Sequence, residues 1–256
     1  MPRAIAGVPL LVGINGAQGS GKTTLCRFLG ALLAEHGLRS AVLSLDDLYL
    51  PRMERQALAR TLHPLFATRG VPGTHDVPLA TAILDALLAG EAAALPQFDK
   101  SIDDRAAETV AVPAGTDIVL FEGWCVGAPP QPAADLVRPI NRLEAEEDAD
   151  GVWRGAVNAA LAGDYARLFA RIGTLVMLRP PGFGSVFAAR RLQEEKLRAR
   201  GGGAQMMDDA ALERFIQHYE RLTRHMLAVL PERADVRFDL DARQNIVDAA
   251  YRGLTM

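Results

Sequence analysis

The sequence is poor in several features that would point to particular classes of protein. It has two cysteines in 256 residues, Cys26 and Cys125, and neither belongs to a C-x-x-C pair, so we expect no disulfide framework and no zinc site. A reduced, cytoplasmic interior is the simpler setting for such a chain. No apolar run approaches the ~18 residues of a membrane-spanning helix, and the start of the chain shows no long apolar leader segment. The net charge of −3 gives no sign of nucleic acid or an anionic membrane as a partner.

Lysine and aromatic residues are also scarce. Only three of the 28 basic residues are lysines, namely Lys22, Lys100 and Lys196, and aromatic residues make up 6% of the chain. A GC-rich genome is the simple explanation for the few lysines. Each of the three nevertheless falls in a segment that the patterns below single out.

The best-defined motif lies near the start of the chain and fits G-x-x-x-x-G-K-[ST], the phosphate-binding P-loop. The apolar run Leu10–Ile14 precedes it and predicts a buried strand, and apolar residues at helical spacing follow it as far as His36. In such a loop, backbone N–H groups and the start of the helix bind the phosphates of a nucleotide. The predicted nucleotide-binding residues are Gly16, Ala17, Gln18, Gly19, Ser20, Gly21, Lys22, Thr23 and Thr24.

A second predicted strand, Ser40–Leu45, ends in two adjacent aspartates, Asp46 and Asp47. Acidic residues at the carboxyl end of a parallel strand face the crevice where α/β proteins bind ligands. A carboxylate there can accept the proton of an attacking hydroxyl or bind Mg²⁺. The alternative is that one of the two aspartates caps the N-terminus of a helix. Lys22 and Asp46 are the candidate catalytic residues.

A third strand supplies a further candidate carboxylate. The apolar run from Ile118 ends in Glu122, as in the Walker-B pattern, where a buried parallel strand delivers an acid beside the P-loop. Lys22 would supply positive charge to the β- and γ-phosphates, and Thr23 would offer a hydroxyl to the cation. We therefore expect ATP and Mg²⁺, with Thr23, Asp46 and Glu122 as candidate metal ligands.

Two further segments combine turn residues with charged side chains. Arg69–Asp76 is rich in glycine and also carries an arginine, a histidine and an aspartate, and Leu95–Arg105 is dense in charges and hydroxyls. Loops on a rigid scaffold often carry binding residues. The first segment can equally be a solvated turn, and the second, taken alone, is better explained as an exposed loop.

The second half of the chain continues the alternation of helices and strands. The acidic run between Glu144 and Asp150 predicts a solvated helix face. The apolar spacing then predicts a helix over 152–170, a strand over 174–178, a long helix capped by Asp208, a strand over 236–240 and a last helix over 246–254.

A basic helix between the 174–178 strand and Gly201–Gly203 is a candidate lid. Such a helix can close arginines over the phosphates, with the three glycines as its hinge. The alternative is an ordinary charged helix in which Glu194 and Glu195 pair with its own arginines.

Alternating buried strands and helices predict a P-loop NTPase three-layer α/β sandwich, with a mainly parallel sheet and helices on both faces. No linker rich in proline and glycine divides the chain, so we expect residues 1–256 to form a single P-loop kinase domain with its lid at about 183–203. The guanine-specific [NT]-K-x-D signature is absent, which favours ATP as the nucleotide.

Six segments carry a resemblance to a known family: Gly16–Thr24, Ser44–Leu50, Arg69–Asp76, Pro96–Ser101, Phe121–Gly127 and Phe215–Thr223. As a set they resemble the D-glycerate 3-kinases of plants and fungi and their bacterial relatives. That group is similar in fold to uridine kinase, phosphoribulokinase and bacterial pantothenate kinase. The P-loop is generic, whereas the middle segments point to this family.

The resemblance implies transfer of the γ-phosphoryl group of ATP to the 3-hydroxyl of D-glycerate, with Asp46 in the position of the catalytic base. A small carboxylate substrate needs a cation or a fork of donors. The candidate acceptor-binding residues are Asp47, Tyr49, Arg69, His75, Asp76, Lys100, Arg105 and Trp124. The candidate lid residues are Arg190 and Arg191, where a Trp-Arg pair is more usual in the family.

Two alternatives remain open at this point. The first is the same chemistry on another small hydroxyl compound, such as pantothenate, a nucleoside or a sugar phosphate. The second is a P-loop ATPase or assembly factor that acts on a protein partner and has no small-molecule acceptor. The oligomeric state is left open.

Overall fold

The structure is a computed structural model that describes residues 8–199 and 209–253 of the chain. Its strands are β1 (Leu10–Gly16), β2 (Ser40–Ser44), β3 (Ala93–Asp99), β4 (Asp104–Val112), β5 (Ile118–Gly123), β6 (Thr174–Arg179), β7 (Val236–Leu240) and β8 (Ile246–Tyr251). Its α-helices are α1 (Lys22–Glu35), α2 (Arg52–Thr61), α3 (Val77–Leu88), α4 (Arg142–Glu147), α5 (Val152–Ala160), α6 (Ala166–Phe169), α7 (Phe183–Ala199) and α8 (Asp209–Val229). A π-helical segment, Leu161–Tyr165, joins α5 to α6.

The main sheet has six strands in the order β2-β5-β1-β6-β7-β8. The five from β2 to β7 pair in parallel, and β8 adds an antiparallel edge. The predicted α/β class with a mainly parallel sheet is confirmed. Because β1, β2, β5 and β6 are parallel, the P-loop and the segments after the other three strands meet at one edge of the sheet.

Both faces of the sheet are covered, because successive strand residues point to opposite sides. In β5, Val119 and Phe121 belong to the larger core on the side of α3, α6 and α8. Leu120 faces the other way, into a smaller core with Ile14 and Cys26 beneath α1. The strands are therefore apolar on both faces, as expected for a buried parallel sheet.

The segment expected to be an exposed loop forms a β-hairpin instead. Strands β3 and β4 pair antiparallel as a separate two-stranded sheet, and the turn between them carries Lys100 and Asp103. The charged residues that suggested a loop lie at this turn, whereas Leu95 and Phe98 of β3 are buried. The loop interpretation of Leu95–Arg105 was therefore wrong for most of its length.

The prediction of a last helix over 246–254 was also wrong. Residues 246–251 form β8, which pairs antiparallel with β7, and Leu254 of the prediction lies outside the described residues. Asp241 accepts the backbone N–H groups of Arg243 and Asn245 at 2.8 and 2.9 Å, which closes a tight turn after β7. This turn directs the chain back along β7, and unpaired backbone groups of an edge strand readily pair with a returning segment.

Part of the acidic run predicted to be solvated is buried. The carboxylate of Glu144 is fully buried and accepts two hydrogen bonds of 2.7 Å from the guanidinium of Arg221. Asp148 is 1% exposed, pairs with Arg154 at 2.9 Å and accepts the backbone N–H of Trp153 at the start of α5. Both acids are buried because each has an arginine partner: α8 brings Arg221 to Glu144 from a distant part of the sequence, and the first turn of α5 brings Arg154 back to Asp148, six positions away.

Several predictions fall on segments that the structure does not describe. Gly201–Gly203, the expected hinge, and Asp208, the expected cap of α8, lie outside the described residues. Within the described part of the chain, no helix combines the length and the apolar character needed to cross a lipid bilayer.

Candidate active site

The P-loop joins β1 directly to α1, as its motif requires. Two of its glycines, Gly19 and Gly21, have φ angles of 78° and 89°, which L-residues with side chains rarely adopt. A Cβ atom at Gly16 would collide with the Ser20 hydroxyl. The loop can therefore curl tightly in front of the first turn of α1, where unpaired N–H groups attract anions.

Two side chains of the loop are suited to a phosphate. The Ser20 hydroxyl is buried and has no hydrogen-bond partner among the described residues. The Lys22 ammonium lies 3.3 Å from the carbonyl oxygen of Ala17, so it folds back over the loop. A buried donor without a partner is costly, and a bound phosphate oxygen would satisfy it.

Oxygen atoms of three elements converge beside Lys22. Oε1 of Glu122 accepts the Thr23 hydroxyl at 3.1 Å and the Ser44 hydroxyl at 3.2 Å. Ser44 and Glu122 are direct neighbours in the register of β2 and β5. Among the described residues, no three His, Cys, Asp or Glu side chains group together as a metal site. A cation here would therefore depend on hydroxyl and phosphate oxygens as well as on a carboxylate, a ligand set that suits Mg²⁺.

Asp46 lies in a short 3₁₀ turn at the end of β2. Its Oδ1 accepts the Tyr49 hydroxyl at 2.8 Å, and its Oδ2 accepts the Lys100 ammonium at 2.9 Å. Burial acts to raise the pKa of this carboxyl, but the Lys100 ammonium, together with Lys22 and the Tyr49 hydroxyl, lowers that pKa to about 2. Asp46 is therefore held as a carboxylate beside the phosphate loop.

The neighbouring Asp47 has a different environment. Its Oδ1 accepts the backbone N–H of Phe98 at 3.1 Å, and this bond attaches the 3₁₀ turn to β3. Burial raises the pKa of Asp47. The two adjacent aspartates thus divide into one that faces the cations and one that holds the hairpin.

His75 is buried beneath Tyr49. The two rings stack at a centroid distance of 4.7 Å, and Nδ1 of His75 lies 2.6 Å from the hydroxyl of Tyr165. Burial lowers the pKa of His75 to about 3, so the ring is neutral at ordinary pH. His75 therefore supports the tyrosine that holds Asp46.

Asp76 and Arg105 form an ion pair at one side of the same cluster. Asp76 caps α3 by accepting the N–H of Leu79 at 3.0 Å, and its other oxygen accepts Nη2 of Arg105, also at 3.0 Å. The same Arg105 nitrogen donates to the carbonyl oxygen of Tyr49 at 3.1 Å. This pair ties β4 to the segment that carries Tyr49.

Trp124 lies in the protein interior. It is 2% exposed, its indole Nε1 donates to the carbonyl oxygen of Gly70 at 2.8 Å, and its ring packs edge-on against Tyr219 at 4.9 Å. Gly70 has a φ of 133°, and a Cβ atom there would overlap the Tyr219 hydroxyl. Trp124 and Tyr219 thus fix the start of the Arg69–Asp76 turn.

Arg69 pairs with Asp103 at the tip of the β3–β4 hairpin. A second arginine, Arg55, is 1% exposed and binds the same carboxylate at 3.0 Å and the Asp103 carbonyl at 2.6 Å. Its other nitrogens donate to the carbonyl oxygens of Leu50 and Ala67. We call this group, Arg55, Arg69 and Asp103, the hairpin clamp.

The structure brings most of the predicted residues together around Asp46, but several important neighbours were not predicted. Ser44 had a signal, since it precedes Leu45 and Asp46 in one of the six segments. Arg55 and Tyr165 had none, because their contacts join parts of the chain that are distant in sequence. Asp103 lay in the charged Leu95–Arg105 segment, but nothing in that segment indicated Arg55 and Arg69 as its partners.

The two candidate lid arginines differ in their contacts. The Arg190 guanidinium lies 5.6 Å from the ring centroid of Phe215, on α8. Arg191 pairs with Glu195 of its own helix at 3.1 Å, as the charged-helix alternative expects. A cavity lies between the P-loop, the first turns of α7 and the β7–β8 turn, and is lined in part by Gln18, Val186, Asp241 and Gln244.

Three known proteins are similar to this chain over most of its length. An uncharacterized kinase of Schizosaccharomyces pombe, named mug58, is 36% identical over 225 residues, which are 83% of this chain and 79% of that protein. The chloroplastic D-glycerate 3-kinase of Arabidopsis thaliana is 30% identical over 93% of this chain and 54% of its own length. This chain therefore spans about half the length of the plant enzyme.

A solved structure is also similar to this chain over almost all of its length. The D-glycerate 3-kinase from Cryptococcus neoformans superposes with a TM-score of 0.81 and 29% identity, over 96% of this chain and 90% of that one. No protein-family model matches the sequence. The similarity confirms the P-loop kinase fold and the resemblance drawn from the six segments.

Proposed function

Because this chain belongs to the family of P-loop kinases that includes the D-glycerate 3-kinases, we propose that it transfers the γ-phosphoryl group of ATP to the 3-hydroxyl of D-glycerate. The product would be 3-phosphoglycerate. The observation that carries the proposal is the position of Asp46, a carboxylate that touches a lysine and lies at the same sheet edge as the P-loop. The two named D-glycerate 3-kinases support the choice of acceptor.

The nucleotide binds with its phosphates in the P-loop. Backbone N–H groups of residues 16–24 and the Ser20 hydroxyl surround the phosphates, and Lys22 turns from the Ala17 carbonyl to the β- and γ-phosphates. The base and ribose occupy the cavity beside Gln18 and Gln244, under α7. In this arrangement α7 is the lid.

Thr23 and Glu122 would hold Mg²⁺, with Ser44 as a further oxygen ligand, directly or through water. Both hydroxyls already lie within hydrogen-bond distance of the same Glu122 oxygen, which makes this the fitting place for a hard cation. When bound, Mg²⁺ supplies positive charge to the β- and γ-phosphates.

Asp46 orients the acceptor hydroxyl and takes its proton as the oxygen attacks the γ-phosphorus in line with the leaving ADP. Tyr49 holds one oxygen of Asp46 in place, and the His75 ring holds Tyr49. Lys100 is the cation for the acceptor carboxylate, since it projects from the hairpin tip toward Asp46. Asp47, Asp76, Arg105 and Trp124 act by fixing the surrounding backbone.

A coupled assay of ADP formation tests the proposal. The panel contains D-glycerate, L-glycerate, pantothenate, uridine and ribulose 5-phosphate, each with ATP and Mg²⁺, and NMR identifies the product. Turnover on D-glycerate alone, giving the 3-phosphate, is the expected result. Turnover on another acceptor and none on D-glycerate would reject the glycerate assignment and keep the kinase. ATP binding without any phosphorylated product would favour a P-loop ATPase that acts on a protein partner.

A further inference from the structure

Both oxygens of the proposed base are engaged in the structure. Tyr49 donates to Oδ1 of Asp46 at 2.8 Å, and Lys100 donates to Oδ2 at 2.9 Å. A base has to present an oxygen at hydrogen-bond distance to the hydroxyl whose proton it takes. The ammonium also compensates the negative charge that attracts that proton. Lys100 therefore opposes the function of Asp46 for as long as it stays in contact.

Of the two contacts, the one with Lys100 is the removable one. Tyr49 is 4% exposed and is packed between the His75 ring at 4.7 Å and the Phe98 ring at 5.1 Å. The Lys100 side chain is 59% exposed and ends a flexible four-carbon stem. Exposed ion pairs of this kind are weak, so an incoming anion can take the ammonium at little cost.

The backbone beneath Lys100 is anchored. The hairpin clamp holds Asp103 through Arg55 and Arg69, and Asp99 accepts both the backbone N–H and the hydroxyl of Ser101, at 2.8 and 2.6 Å. These contacts lie on both sides of Lys100 in sequence. Movement is therefore confined to the side chain, whose reach is set by the clamp.

The other predicted cations cannot play the same part. Arg69 is paired with Asp103 and Arg105 with Asp76, and neither acid is the proposed base. An acceptor anion that drew away either arginine would leave the Lys100 contact on Asp46 unchanged. Of these three predicted acceptor cations, Lys100 is the one whose capture couples acceptor binding to the release of the base.

We propose that Lys100 is the specificity-determining residue of the acceptor site and, in the absence of acceptor, a lock on Asp46. The carboxylate of a small hydroxy acid takes the Lys100 ammonium, and the acceptor hydroxyl takes its place at Asp46. Asp46 then receives the hydroxyl proton, the hydroxyl oxygen bonds to the γ-phosphorus, and the bond from that phosphorus to the β-γ bridging oxygen breaks to release ADP. Water and neutral alcohols carry no anionic group that could draw Lys100 away from Asp46. Asp46 therefore stays paired with Lys100 in their presence, and ATP hydrolysis is suppressed. The choice of a carboxylate acceptor rests on the proposed function, whereas the lock does not.

The test is Lys100→Met, which removes the charge and keeps the length of the side chain. Two rates are measured: ADP formation without acceptor, and kcat/KM for D-glycerate relative to glycerol, which has the hydroxyls but no carboxylate. We expect the acceptor-free rate to rise several-fold and the glycerate-to-glycerol ratio to fall about 10- to 100-fold, as expected for loss of a charged hydrogen bond. The dissociation constant for ATP should not change, since the P-loop is untouched.

The matched control is Arg142→Met, which removes an exposed cation from an ion pair of similar length, 2.8 Å to Glu146, on α4. It should leave both rates at wild-type values. An unchanged acceptor-free rate in Lys100→Met would overturn the lock, and an unchanged glycerate-to-glycerol ratio would overturn the specificity role. If the wild-type protein turned over another acceptor but not D-glycerate, the proposed function would fail, and the acceptor-free rate would still decide whether Lys100 locks Asp46.

Discussion

Replacing Asp46 by asparagine separates the chemistry of this carboxylate from its structural contacts. The amide oxygen of asparagine can still accept the Tyr49 hydroxyl, so the change removes the proton acceptor and the partner of Lys100. General-base catalysis contributes about 100- to 10,000-fold, which is about 3–5 kcal/mol of activation free energy. We therefore expect kcat on D-glycerate to fall by that factor.

The expected loss of stability is much smaller. The Lys100 and Asp46 side chains are 59% and 40% exposed, so solvent screens their ion pair, and such pairs contribute at most about 1 kcal/mol. The free energy of unfolding should change by less than that amount, and ATP should bind with unchanged affinity because the P-loop is intact. A change in activation free energy that is larger than the change in the free energy of unfolding indicates a catalytic role.

The assay compares kcat at saturating ATP and D-glycerate with ATP affinity by calorimetry and with thermal unfolding. The matched variant is Asp47→Asn, at the adjacent acid, whose contact with the Phe98 N–H an amide oxygen can keep. It should reduce kcat far less than Asp46→Asn does. If Asp46→Asn kept most of the wild-type kcat, or if both variants lost kcat equally, the assignment of Asp46 as the base would be refuted.

Two further predictions concern the support of the site. Trp124→Phe removes the donor to the Gly70 carbonyl, so it should destabilise the fold by about 1–3 kcal/mol and raise the KM for the acceptor. The control is Trp153→Phe, at an equally buried tryptophan whose Nε1 has no partner among the described residues, and it should leave that KM unchanged. Equal effects of the two variants on KM would contradict the role of the indole hydrogen bond. The pKa of His75 is about 3 in the folded protein and 6.5 in the unfolded chain. Between these two pH values the unfolded chain binds a proton that the folded protein does not, so this histidine makes the free energy of unfolding fall as the pH decreases through that range. His75→Gln should reduce the slope of unfolding free energy against pH, measured by denaturant titration between pH ~7 and ~4; an unchanged slope would mean that His75 is not held neutral.

The parts of the site that depend on neighbouring residues were predictable. The P-loop requires glycines, a lysine and a threonine at fixed spacing, and the flanking strand and helix show their own periodicity. Asp46 follows one apolar strand and Glu122 lies at the end of another, so a parallel sheet alone was enough to place both beside the loop. The comparisons confirm the kinase family but do not test these roles, which stay predictions until the variants are made.

The parts that depend on distant residues were not predictable in this way. The apolar residues at 246–251 suggested a helix, but Ile246 and Val247 are exposed, and the pairing with β7 decides their conformation. Glu144 was expected on a solvated face and is instead buried against Arg221, because α8 brings that arginine to it from 77 positions away. Composition of a short segment cannot reveal a partner of this kind.

The amino-acid sequence by itself determined the nucleotide loop, the strand ends that deliver Asp46 and Glu122, and the kinase family, because these depend on short-range spacing that a single segment contains. Only the tertiary structure decided how the proposed acceptor side is arranged: that Trp124 and Arg105 hold the surrounding backbone, that His75 supports the Tyr49 ring, and that Lys100 reaches Asp46. These outcomes depend on which charges and rings meet after the hairpin, the 69–76 turn and α8 have packed together. The physical reason is that burial and pairing are properties of contacts between segments, so they are settled only when the chain has folded.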